Sequence, residues 1–276
     1  VAGVLTLSVI AISTSAVLVR GMEAEALVIA AWRTLGASLL LLPAWLPELR
    51  RLEPRERRRL VGAGLALAVH FVLWFASLER TTVLRSTLLV CTTPVWAGLI
   101  DVVVERRWPE ARWLAGVALA LPGVGWMSGG GGGEASWSGD LLALGGAVAA
   151  AVYLRTGQAV RQQVGALAAM GAMCAVAAAA LWVSAGVSGQ VLWGLSPRTW
   201  ALLVAAVLGP QLVGHMGFTW AVRWVPASTV ALVVLLEPVG AAALAALVFG
   251  EVPDGSSIAG GLLVLAGVAV AVGARR

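Results

Sequence analysis

The chain of 276 residues is 60% hydrophobic and only 12% charged, with a mean hydropathy of +0.92. Ordinary globular domains carry about 25% charged residues, so this composition excludes a soluble fold and marks a polytopic membrane protein. The formal charge is +5, but all 19 basic residues are arginines set mostly between apolar runs, which is a topology signal. A nucleic-acid footprint would instead be a contiguous basic face on a soluble domain.

About 20 mainly apolar residues make one spanning helix. On that length the chain predicts an all-α membrane protein with ten transmembrane helices. The first five are Val1–Val19, Ala24–Leu46, Leu60–Leu78, Thr82–Val104 and Trp113–Ser128. The second five are Gly139–Leu154, Gly165–Ala185, Trp200–Thr219, Pro226–Phe249 and Ser257–Gly273. The first run carries Ser8, Ser13, Thr14 and Ser15 with no cleavage-like ending, and reads as a retained helix rather than a signal peptide. Cys91 and Cys174 both fall inside apolar runs, where free cysteine behaves as a small hydrophobe.

Loop arginines orient the spans. Fourteen lie on one side (Arg50, Arg51, Arg55, Arg57, Arg58, Arg59, Arg106, Arg107, Arg112, Arg155, Arg161, Arg223, Arg275 and Arg276). Four lie on the other (Arg20, Arg80, Arg85 and Arg198), and Arg33 is left within a helix. The excess places both termini in the cytoplasm, as an even helix count requires.

The chain also repeats itself. Pro94 and Pro238, Gly116 and Gly260, and Gly123 and Gly267 are each 144 residues apart. The boundaries that follow are a first unit at 1–128, a glycine-rich linker at 129–138 and a second unit at 139–276. Five helices per unit is odd, so the second unit enters the membrane from the opposite side. Inverted repeats of this kind are a transporter plan, with the substrate near the midplane between them.

Polar residues recur at equivalent depths in the two units, and such groups in a membrane usually face a cavity or a partner. His70 and Trp74, at i and i+4, share one face with a donor-acceptor ring and a broad indole. They suit an amphipathic solute; alternatively the imidazole bonds to a neighbouring helix carbonyl and the indole packs. In the second unit Gln211, His215 and Thr219 share a face, followed by Trp220, and either touch substrate or bond across helices as glue. Pro94 and Pro238 remove helix hydrogen bonds to the carbonyls of Val90 and Val234, and read as hinges. Glu237 lies about eleven residues into the ninth span, near the membrane centre. Arg33 is its candidate electrostatic partner, as a clamp first, and otherwise as a gate or a proton-coupled switch.

Tyr153 and most of the tryptophans sit near predicted helix ends and read as interfacial anchors, while Trp32, Trp96 and Trp126 fall deeper. Gly186-Val187-Ser188-Gly189 is similar to the nucleophile motif of intramembrane serine proteases, yet it falls in a predicted loop, away from the start of a buried helix. The chain contains no HExxH pair, phosphate loop or metal cluster, so neither an enzyme nor a cofactor is expected.

A set of short pieces in order carries a family resemblance. In the first unit these are Ser13-Thr14-Ser15-Ala16, Ala30 to Gly36 with Arg33, His70 to Leu78, and Thr92-Thr93-Pro94-Val95. In the second they are Pro210 to His215, Leu236-Glu237-Pro238-Val239 and Gly250-Glu251-Val252-Pro253. Together they resemble the EamA-like family of the drug/metabolite transporter superfamily. That resemblance implies two inverted five-helix repeats around a central cavity, working by alternating access in a bacterial-type inner membrane. It also implies export of amino acids or similar small amphipathic metabolites without an ATP-binding domain. Two departures stand out: helix one lacks the tryptophan-glycine pair of many relatives, and Arg80 and Arg85 flank helix four where small polar residues are usual. The alternatives are a multidrug or other metabolite exporter of the same fold, or a non-transporting structural or regulatory subunit. The expected partners are a small-molecule substrate and the bilayer; proton or exchange coupling, and a monomer or homodimer, stay open.

Overall fold

A computed structural model describes residues 1–106, 110–129, 136–161, 164–221, 224, 230 and 233–272. All regular structure among them is helical. In chain order the helices are α1 (Ala2–Arg20), α2 (Ala26–Leu40), α3 (Leu42–Leu49), α4 (Pro54–Leu78), α5 (Val83–Val90), α6 (Thr93–Glu105), α7 (Ala111–Gly129) and α8 (Trp137–Arg161). They continue as α9 (Ala166–Val187), α10 (Pro197–Ala206), a π-helical segment (Val207–Gly214), α11 (His215–Ala221), α12 (Glu237–Phe249) and α13 (Gly255–Val272). Most of the predicted linker, residues 130–135, and the start of the predicted ninth span lie outside the described residues.

Among the described residues six stretches are long and apolar enough to cross a membrane: 2–20, 54–78, 83–104, 137–158, 166–187 and 197–218. A seventh, α2 with α3, is bent by 78°. The predicted second span, Ala24–Leu46, is therefore not one straight helix. The break falls at Leu41, with Pro43 in the first turn of α3, where the missing N–H of proline would be unpaired anyway. The protein is a multi-pass membrane protein, and its lipid-facing surface carries exposed Leu7, Ile10, Val69, Val103, Val183 and Leu247. Such a band would aggregate in water and is at home in hydrocarbon.

Pro94 and Pro238 are placed differently from mid-helix kinks. Each sits in the first turn of its helix, α6 and α12, after a two-residue turn. The turns match at the repeat spacing: Thr92 N–H donates to the Leu89 carbonyl at 3.2 Å, and Leu236 N–H to the Val233 carbonyl at 3.1 Å. The carbonyl of Val90, which Pro94 cannot serve, accepts the Thr93 hydroxyl at 2.7 Å instead. Pro210 lies inside the π segment, whose wider turn accommodates a residue without an N–H.

The interior is built on small residues. α4 lies between α8 and α9, and α2 lies against α9. A Cβ at Gly64 of α4 would fall 2.5 Å from the Cβ of Val176 on α9, so only glycine lets these helices meet. α7 and α13 run antiparallel along their length. A Cβ at Gly116 would fall 2.5 Å from the Gly267 carbonyl oxygen, and one at Gly123 would fall 2.7 Å from that of Gly260. These four residues are the two repeat-related pairs, crossed: each glycine meets the counterpart of the other. A two-fold axis between α7 and α13 has this signature.

Candidate functional site

Arg33 of α2 is fully buried, with 0% exposure, and its hydrogen-bond and ring contacts among the described residues are with neutral groups. Its Nη1 donates to Ser15 Oγ of α1 at 2.8 Å. Its Nε and Nη2 both donate to Gln211 Oε1 of the π segment at 3.3 Å. The guanidinium carbon lies 4.9 Å from the ring centre of Phe71 and 5.6 Å from that of Phe75, both on α4. Aromatic faces attract such a cation, most strongly when water is excluded. Gln211 is fixed from its other end, where Nε2 reaches Met170 Sδ of α9 at 3.5 Å. One buried charge thus ties α1, α2 and α4 to the π segment and α9.

His70 is held. Its Nδ1 lies 2.9 Å from the Gly146 carbonyl oxygen of α8, so Nδ1 carries the proton and donates. The ring stacks with Trp74 at 5.7 Å, and Trp74 is buried with its Nε1 unpartnered among the described residues. Both sequence readings of this pair survive in one arrangement: the imidazole is anchored to a neighbouring helix, and the indole presents an unused donor. Ser77 closes the run by bonding Ser86 Oγ at 2.6 Å and the Trp74 carbonyl at 2.6 Å.

Glu237 begins α12 and is buried at 9% exposure. Its backbone carbonyl accepts from Ser13 Oγ at 3.4 Å, and among the described residues its carboxylate makes no ion pair with Arg33. His215 is half-buried at the start of α11. Arg33 contacts Gln211 and Phe71, His70 lies against Phe71 and Trp74, Arg33 and Glu237 both bond serines of α1, and His215 follows the π segment of Gln211, so these residues share one region. Trp220 does not: it is 40% exposed on the outer face of α11, 5.9 Å from Trp224.

The helix dispositions also place residues outside this network, one of them against the sequence expectation. Arg85, counted above with the exterior loop arginines, is buried in α5 at 1% exposure. It pairs with Asp140 of α8, also 1% exposed, which accepts from Thr81 Oγ1 at 3.2 Å as well. Arg20 ends α1 in an ion pair with Glu251. Trp32 forms an edge-to-face cluster with Trp182, Trp193 and Trp200 at 4.7–5.0 Å, and its Nε1 donates to the Leu192 carbonyl at 2.8 Å. Ser188 is exposed at the end of α9, far from any interior role of the histidines. No cluster of three metal-ligating side chains occurs among the described residues.

A family model described as the EamA-like transporter family matches residues 2–129 and again 137–273. The chain belongs to the EamA-like transporter family. Two matches in tandem also make it a two-repeat EamA architecture, in accord with the crossed glycine pairs of α7 and α13. No curated protein matches the chain. A solved crystal structure is similar with a TM-score of 0.65 at 20% identity, over 97% of this chain and 94% of its own, a likeness of fold alone. As an EamA protein the chain is a membrane transporter by family, and the buried Arg33 network is its most distinctive interior feature.

Proposed function

We propose that this chain is a secondary-active carrier that works by alternating access and exports amino acids or similar small amphipathic metabolites. The proposal includes ten spans in two inverted five-helix repeats, at 1–128 and 139–276 around the linker at 129–138, with both termini in the cytoplasm of a bacterial-type inner membrane. The observation that carries it is Arg33. A guanidinium at membrane depth, held by Ser15 in its own repeat and by Gln211 in the other and faced by Phe71 and Phe75, has little purpose as mere packing. Beside it stand a buried carboxylate at Glu237 and an unused indole donor at Trp74. A cation, a carboxyl group and an aromatic surface in one region match the three parts of an amphipathic amino acid. His70, Trp74, Gln211, His215 and Glu237 are the proposed cavity residues, with Arg33 as the electrostatic partner and Pro94 and Pro238 as the points where broken helices bend. Trp220 joins them only in a state that turns α11 inward.

The test is exchange flux in proteoliposomes loaded with unlabelled amino acids, following entry of labelled ones individually. Accelerated entry of a few, lost in Arg33→Ala, supports the reading. Equal entry into protein-free vesicles for every amino acid, with drugs or other metabolites carried instead, moves the substrate class; no flux of any solute favours a non-transporting subunit.

A further inference from the structure

At the end of the bundle where α1 stops and α2 starts, the two repeats are joined by side chains of unequal burial. Arg20 pairs with Glu251, just beyond α12, and also donates to the Thr81 carbonyl at 3.2 Å. The second oxygen of Glu251 accepts the N–H of Val83 at 3.0 Å, a donor in the first turn of α5 that no helical carbonyl can serve. Gly250, with φ 70°, ends α12 and turns the chain so that Glu251 arrives at this spot. One carboxylate thus clasps the end of α1 and the start of α5, both in the first repeat, from the second. Deeper in, Arg85 and Asp140 join α5 to α8 with no access to water.

The two ion pairs differ in what breaking them requires. The Arg85–Asp140 pair is 1–2% exposed, and separating it strands two buried charges. The Arg20 and Glu251 side chains are 25% and 16% exposed, and Glu251 borders a cavity of about 190 Å³ lined also by Thr82, Asp254 and Ser257. Water that enters there can solvate the Glu251 carboxylate, and Arg20 is itself partly open to solvent, so the pair makes and breaks at modest cost.

We propose that Arg20 and Glu251, seated on the Val83 N–H, form a latch between the repeats that holds this end of the transporter closed and releases when the interior opens toward it. The Arg85–Asp140 pair is the fixed post against which the latch shuts. The inference rests on the alternating-access reading, and its test needs no substrate.

In proteoliposomes of a Cys174→Ala protein, Cys91 is the single thiol, buried at the α5–α6 turn within the interior. A membrane-impermeant maleimide is applied from each side in turn. Arg20→Ala and, separately, Glu251→Gln are expected to raise the Cys91 labelling rate from the latch side by about threefold to tenfold, the shift a partly exposed ion pair can hold. The charge-swapped pair Arg20→Glu with Glu251→Arg should return the rate part-way, since it restores the ion pair without the Val83 bond. Unchanged labelling in both single variants, with monodisperse folded protein, overturns the latch; so does a double variant no slower than the singles. If labelling responds as expected while no solute moves in flux assays, the latch stands and the transport reading falls.

Discussion

Arg33 and Arg85 are both sealed from water, and their surroundings could hardly differ more. Arg85 touches a carboxylate, and a hydroxyl completes the pairing of that carboxylate. Arg33 touches a carboxamide, a hydroxyl and two aromatic faces, and among the described residues no carboxylate forms an ion pair with it. A charge whose partner is in place has finished its electrostatic work and serves the fold. A charge held by neutral groups keeps most of its field for something that arrives later. The comparison sets Arg85, as part of the architecture, apart from Arg33, the residue proposed for the carrier's task.

The largest effect should come from the architectural side. Asp140→Ala leaves Arg85 buried and unpaired, and should destabilise the protein by about 3–5 kcal/mol in thermal unfolding in detergent. Replacing both Arg85 and Asp140 by leucine should recover most of that loss; if it does not, the pair contributes more than mutual neutralisation. Next comes Arg33→Lys, which keeps the charge but loses the fork that binds Gln211 and Ser15. Flux per folded molecule should fall about tenfold to a hundredfold, the value of one or two charge-assisted hydrogen bonds, with a stability loss of about 1–3 kcal/mol, smaller than that of Asp140→Ala. A large drop in stability with flux per folded molecule unchanged would erase the distinction between the two arginines.

How far the sequence carried this distinction depends on the range of each interaction. Arg33 stood out because its neighbours from Ala30 to Gly36 are otherwise apolar or small, but Gln211 is 178 positions away and nothing local names it. Arg85 was assigned to a loop because a count of flanking charges treats position as exposure, although Val83 and Leu84 before it and Leu88 to Val90 after it are helical and apolar. The bend between α2 and α3 hides in Leu39-Leu40-Leu41-Leu42, where hydropathy has no dip, and only Pro43 and Pro47 hint at it. The repeat, by contrast, was legible from three pairs of residues at one spacing. It also explains Trp220: its distance from Trp74 is 146 rather than 144, and two residues are about 200° of helix. The indole that points inward in one repeat therefore points outward in the other.

A smaller test concerns Gln211 itself. Gln211→Leu removes one acceptor from Arg33 while retaining the volume, and should cost about 1–3 kcal/mol of stability by leaving a buried donor unmet. Recovery of that loss by an added amino-acid substrate, read as a rise in unfolding temperature, would show a ligand taking the place of the carboxamide.

The smallest effect serves as an exposed control for both arginines. Asp254 accepts from the Ser257 N–H and from the hydroxyls of Ser256 and Ser257, and caps the start of α13. These bonds, the Ser256 hydroxyl first, hold its carboxyl below the ordinary aspartate value of 3.8. Because the folded value is depressed, the cap's contribution is present above that pH and fades as pH falls through the lowered value. Asp254→Ala should cost about 1 kcal/mol at neutral pH and less in acid, measured by unfolding across pH 3–7.

The glycine seam between α7 and α13 has a mechanical meaning. Where two helices touch backbone to backbone, neither side chains nor lipid tails can lubricate the contact. Sliding by less than a full turn would drive Ala271 and Ala120 into the opposing main chain, since both already crowd it. This flank of the molecule therefore resists shear and behaves as a keel. When the two halves rock, the least movement should occur along the line through Gly116, Gly123, Gly260 and Gly267, and the greatest displacement on the flank farthest from it.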